Sequence, residues 1–126
     1  MAISQMRSRR KVTGGRYRDF CKKRRQNKGS LPAMTKLGAK SMRYRRSRGG
    51  SLKSFLLSIN TVNVLDPKTK KSQTAEVLNV IENPANINFV RMKVITKGTV
   101  VETKLGKVRI TSRPGQNSNL NAVLIS

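Results

Sequence analysis

Apolar and polar positions fall into two regimes along this chain. From residue 55 onward, short runs rich in β-branched and apolar residues alternate with turn signals. Residues 55–64 form the first run, ended by Asp66-Pro67; residues 74–81 form the second, closed by Asn83-Pro84. Residues 95–103 form a third, interrupted at Gly98, and residues 120–125 close the chain. Between them, residues 108–112 alternate cleanly, with Val108 and Ile110 on one face and Lys107, Arg109 and Thr111 on the other. Short strands separated by Asp-Pro, Asn-Pro, Leu-Gly and Pro-Gly turns predict an antiparallel barrel or sandwich. Pro114-Gly115 fits the centre of a type II turn, with glycine supplying the positive φ. Residues 86–94 read both ways: Ile87, Val90 and Val94 at helical spacing, Val90, Met92 and Val94 at strand spacing. A short helical turn after Pro84 is the preferred reading.

Before residue 54 the pattern is different. Residues 1–53 hold 18 Lys and Arg against the single acid Asp19, few large apolar residues, and six glycines, at 14, 15, 29, 38, 49 and 50. Such a stretch buries too little apolar surface to offset the entropy of ordering its backbone, so alone it should be disordered. Residues 54–126 carry only 10 basic residues against Asp66, Glu76, Glu82 and Glu102. The expected organisation is therefore a basic extension over 1–53 and a barrel core over 54–126. As a fold class this is all-β: a small antiparallel β-barrel-like C-terminal core with a long basic, irregular N-terminal extension. Barrel closure would remove the exposed edges of so small a sheet.

The charge narrows the function. Over all 126 residues, 28 basic side chains against 5 acidic ones give a net charge of +23, and such self-repulsion calls for an anionic partner. There is no His or Trp and only one Cys, Cys21. Most catalysis draws on His, Cys or paired carboxylates, so an enzyme is not expected, nor a cofactor, a small-molecule substrate or a bound metal. Cys21 has no disulfide partner in the chain. Its neighbours Lys22 and Lys23 would lower its pKa, but without a base to activate it we read it as incidental. No P-loop or dinucleotide-binding glycine motif occurs. No apolar run approaches the roughly 18 residues of a membrane span, so no membrane partner is expected. Residues 1–20 resemble no secretory signal. A mitochondrial presequence would also be Arg-rich, but this basic stretch runs past residue 50 with no apolar face, so we expect a cytoplasmic protein.

Nucleic acid is the partner the basic stretch suits best. Dense cations occur at Arg7, Arg9, Arg10 and Lys11, at Lys22, Lys23, Arg24 and Arg25, and at Arg43, Arg45, Arg46 and Arg48. Paired glycines stand beside arginine at Gly14-Gly15-Arg16 and Arg48-Gly49-Gly50. Arginine grips phosphate with two parallel donors or stacks on a base, and glycine lets the backbone approach closely. Tyr17, Phe20 and Tyr44 offer stacking faces. With about ten phosphates contacted, affinity for an isolated duplex would fall by several decades as salt rises. Structured RNA, where phosphates converge from several helices, therefore suits better. DNA sequence readout needs a rigid reading helix, and none is seen. Two other classes stay open: a DNA-compacting polycation, which would bind duplex DNA as well as RNA, and a basic regulator of an acidic protein.

Taken in order, the motifs resemble a known family. Thr13-Gly-Gly-Arg16, Lys22-Lys-Arg24, Thr35-Lys-Leu-Gly38 and Arg46-Ser-Arg-Gly-Gly50 are followed by Val64-Leu-Asp-Pro-Lys-Thr69 and Glu82-Asn-Pro-Ala-Asn86. Ile95-Thr-Lys-Gly98, Ser112-Arg-Pro-Gly-Gln116 and Asn121-Ala-Val-Leu-Ile125 complete the series. Together they are similar to the small-subunit ribosomal protein family numbered eight of archaea and eukaryotes, which is unrelated to the bacterial protein of that number. The short length resembles the archaeal form. Departures are Ser4 and Met6, where the family often has Trp and Gly, and Ser51, where it usually has Asn. The resemblance implies a structural constituent of the small ribosomal subunit, with small-subunit rRNA and neighbouring ribosomal proteins as partners. The expected rRNA contacts are the clustered cations already named, with Arg16 and Gly14, Gly15, Gly49 and Gly50, joined by Arg18, Lys36, Lys40 and Lys53 and, on the barrel, by Lys107, Arg109 and Arg113.

Overall fold

Alternation of inward valines with outward polar residues builds the C-terminal half. The computed structural model describes residues 7–18, 24 and 28–125, with the backbone only at Arg48. Five strands close into a barrel: β4 (Thr61–Leu65), β5 (Ser72–Glu82), β6 (Val100–Thr103), β7 (Gly106–Ile110) and β8 (Asn121–Leu124). Neighbours are antiparallel except at the closure, where β8 lies parallel to β4 with Val64 opposite Ala122. The expected small barrel is formed, with one parallel seam, because a meander with an odd number of strands returns its last strand parallel to its first.

The barrel interior takes Val62 and Val64, Ala75, Val77 and Val80, Val101, Val108, Ile110 and Ala122, all buried. Small and β-branched side chains dominate, as a barrel this narrow demands. Leu56, Ile59, Ile95 and Leu120 extend the same core. β5 reaches the barrel with two bulges, between Val77 and Asn79 and between Val80 and Glu82. The bulges keep Val80 inward although Ala75, Val77 and Val80 do not follow a strict period of two.

A second sheet precedes the barrel. β1 (Lys36–Leu37), β3 (Leu52–Ile59) and β2 (Ser41–Arg46) pair in the order β1-β3-β2, with β1 parallel and β2 antiparallel to β3. The run over 55–64 is therefore two strands, broken at Asn60. Strand pairing also reaches into the basic stretch, where composition alone predicts irregular chain. Contacts distant in sequence hold it there: Thr35, fully buried, donates its hydroxyl to the Leu56 carbonyl at 2.7 Å and accepts the Ile95 amide at its own carbonyl at 2.8 Å. The chain divides into two compact units, residues 1–32 and 33–126. Residue 53 marks the change in charge, and it falls within β3.

The helical turn after Pro84 is present as α1 (Asn88–Arg91). Asn83 fixes the approach to it from a buried position. Its Nδ2 donates to the Val94 carbonyl at 3.2 Å, and its Oδ1 accepts the Ala85 amide at 3.0 Å and the Thr96 hydroxyl at 3.1 Å. Thr99 adds its hydroxyl to Thr96, 3.1 Å away. These bonds satisfy the buried side-chain polar atoms of a loop that would otherwise be costly to bury.

The type II turn is not formed. Gly115 is absent from the positive-φ residues, and the turn instead closes with the Gln116 and Asn117 amides on the Arg113 carbonyl at 3.0 and 2.9 Å. A Cβ at Gly115 would lie 3.4 Å from the Ala33 carbonyl oxygen, at ordinary contact distance.

Candidate nucleic-acid interface

The two Gly-Gly motifs build the same device. In the first, the Lys11 amide donates to the Gly15 carbonyl at 2.7 Å and the Gly14 amide donates back to Lys11 at 3.0 Å. In the second, the Ser47 amide donates to Ser51 at 2.7 Å and the Gly50 amide to Ser47 at 3.2 Å. Both are three-residue hairpin loops closed by a glycine in the left-handed region, Gly14 at φ 83° and Gly50 at φ 85°. Gly49 also has positive φ, 80°, whereas Gly15 does not, and Ser51 fills the equivalent place in the second loop. Open space surrounds Gly14 and Gly49. The backbone conformation, then, requires glycine at these tips.

Below each tip, cation stands opposite cation. Arg10 bridges to Arg16 across the first hairpin, and Arg45 pairs with Lys53 across β2 and β3. Like charges directly opposite destabilise a strand pair, so each hairpin carries a repulsion that an anion between the two side chains relieves. Aromatic rings hold the guanidinium groups in place. Arg7 lies over the Tyr17 ring at 4.4 Å, Lys11 over the same ring at 5.6 Å, and Arg45 over Phe55 at 5.3 Å. A stacked guanidinium keeps the donors on its rim for phosphate. Arg10 also donates to the Gly14 carbonyl at 3.2 Å, tying its side chain to the tip.

β2 is exposed at every residue and lies at the edge of its sheet. Arg43 and Arg45 therefore share one face with Lys53 and Phe55, and Arg46 lies on the other with Tyr44. Arg7, Arg9, Arg10, Lys11, Arg16, Arg18, Arg24, Lys36, Lys40, Arg43, Arg45, Arg46 and Lys53 are all exposed. Lys22, Lys23 and Arg25, with Phe20 and Cys21, lie outside the described residues, and at Arg48 only the backbone turn is described.

On the barrel side, Lys107, Arg109 and Arg113 are all exposed but differently placed. Lys107 stands directly opposite Glu102, whereas the cross-strand neighbours of Arg109 are Val100 and Val123. Two further residues belong to the cationic surface. Phe55 supports Arg45, which its strand register alone reveals. Lys93, exposed and at φ 53°, gives its carbonyl to the Leu37 amide at 3.1 Å and so comes beside Lys36. No sequence signal connects those two segments.

Residues 4–125 match the family described as ribosomal protein S8e. The chain belongs to that family. It is 47% identical over 125 residues to the small ribosomal subunit protein eS8 of Methanobrevibacter smithii, covering 99% of this chain and 100% of that one. With the protein of the same name from Nanoarchaeum equitans, identity is 45% over 121 residues, covering 96% and 95% of the two chains. With that of Methanococcus aeolicus it is 42% over 127 residues, covering 100% and 99%. These relatives are archaeal and of nearly the same length, in line with the motif order. An S8e member is a ribosomal protein and not an enzyme, in keeping with a side-chain inventory that lacks histidine.

Proposed function

We propose that this chain is a structural constituent of the cytoplasmic small ribosomal subunit, where it binds and stabilises small-subunit rRNA by neutralising converging phosphates. By charge, residues 1–53 are the rRNA-binding extension and residues 54–126 the core, although β1, β2 and the start of β3 carry part of the extension into a sheet. The observation that carries this reading is the pairing of cation against cation in both hairpins, Arg10 with Arg16 and Arg45 with Lys53. Neither pair is favourable in a free protein, and a phosphate between the two side chains turns each into a clamp. The glycine tips lead these clamps into spaces between RNA helices, and Arg43, Arg46 and Arg109 extend the contact. RNA is favoured over DNA because the molecule offers hairpins and exposed strands for shape recognition and, among the described residues, no reading helix.

A salt titration tests this. Binding of the full chain to small-subunit rRNA is measured across a salt series, with duplex DNA as competitor. Arg43→Ala with Arg45→Ala should weaken binding and flatten the slope of log K against log salt by about 0.7–0.9 for each phosphate no longer neutralised. An unchanged slope, or equal preference for duplex DNA, refutes the clamp reading.

A further inference from the structure

The barrel surface is divided by charge, and one sector does not suit RNA. The two bulges in β5 each turn a pair of successive residues outward: Leu78 with Asn79, and Ile81 with Glu82. Bulges commonly re-aim side chains in this way. Leu78 is 52% exposed and Ile81 40%. Glu76 lies on the same outward face of β5, and Glu102 of β6 pairs with Asn79 across it. Three of the five acidic residues in the chain thus flank two exposed aliphatic side chains on adjacent strands. Lys104 neutralises Glu76 at 2.6 Å, and Lys107 stands opposite Glu102 at the border with β7. The cross-strand neighbour of Glu82 is the uncharged Val100.

In a molecule with a net charge of +23, this sector offers phosphate only Lys104 and Lys107, and each of them faces a carboxylate. Carboxylates repel it, and exposed Leu and Ile gain nothing from a nucleic-acid backbone. An apolar centre with an acidic rim matches instead a protein segment with the opposite rim. We infer that the outward face of β5 and β6 docks a basic segment of a neighbouring protein. That segment sets its apolar side chains on Leu78 and Ile81 and its cations against Glu82 and Glu102. The inference rests on the small-subunit reading, and it assigns different surfaces of the molecule to different partners: RNA on the hairpins, protein on β5–β6.

Photocrosslinking separates the two. The full chain carrying p-benzoylphenylalanine in place of Leu78, or in place of Tyr44 on β2, is expressed in cells, and small subunits are isolated by sedimentation and irradiated. Position 78 should join a protein peptide in which Lys and Arg outnumber Asp and Glu, while position 44 joins rRNA. Glu82→Lys with Glu102→Lys should lower the yield from position 78 at least fivefold and leave that from position 44 unchanged. Four outcomes overturn the inference while leaving the small-subunit reading intact: position 78 linking to rRNA, linking to an acidic peptide, giving no product where position 44 does, or being insensitive to charge reversal. Absence of the chain from the small-subunit fraction overturns the reading itself, and this inference with it.

Discussion

At the residue scale, what surrounds a cation decides how much it contributes. Lys107 and Arg109 are two positions apart on β7 and both exposed, yet Glu102 stands opposite Lys107 and only valines flank Arg109 across the strands. Arg109→Ala should therefore weaken rRNA binding more than Lys107→Ala. Equal losses in a salt-matched binding assay would show that the cross-strand acid is irrelevant. The acids have their own signature. The Lys68 amide at 3.0 Å and the Thr69 hydroxyl at 2.8 Å hold the Asp66 carboxyl below the usual carboxylate range, and Lys104 does the same for Glu76. A depressed folded pKa stabilises the fold above the unfolded value and loses that contribution as pH falls through the folded one. The melting temperature should thus be level from pH 8 to 6, where the chain has no His to titrate, and decline only below about pH 4. A decline between pH 8 and 6 would contradict this assignment. The sequence made the exposed cations legible because charge is a local property. It did not reveal Phe55 beneath Arg45 or Lys93 beside Lys36, since both depend on register between segments.

At the element scale, alternation is informative where a strand has one dry face. Val108 and Ile110 of β7, with Lys107 and Arg109 outward, are readable directly, and β6 alternates in the same way. It fails where geometry is set by neighbours. Asn60 divides two strands that composition runs together, and β5 departs from period two at each bulge. The Pro114-Gly115 turn shows a glycine whose expected role fails, since Gly115 does not take the positive φ that a type II turn would give it. The hairpin tips are the opposite case. There conformation is the requirement: an L-residue in the left-handed region costs roughly 1–2 kcal/mol, and β-branching adds to it. Gly14→Val or Gly50→Val should impair incorporation into the small subunit without lowering the melting temperature of the barrel. Gly15→Ala should be tolerated, because Gly15 lacks positive φ and Ser51 stands at its counterpart. Incorporation lost equally in all three variants would show that bulk, rather than backbone shape, is what the tips cannot accept.

Over the whole molecule, charge segregation and fold are one design. The valine-rich interior holds the barrel together, which frees β2 to remain exposed along its full length and to offer its side chains to a partner. The chain's uneven composition shows where the charge lies, and the family's motif order announced the ribosome. The strand pairing that carries basic residues into a sheet was not legible, because Thr35 and Ile95 meet across about sixty residues of sequence. In the proposed function, the cations are threaded among rRNA segments and not merely adsorbed to them. Native lysate resolved on a sucrose gradient, with the chain followed through a high-salt wash, tests this most directly. Surface charge contacts are screened within a few ångströms at about 1 M salt, so a threaded component should stay with the small subunit. Release into the soluble fraction, or migration with DNA, would mean a generic polycation and would contradict the claim.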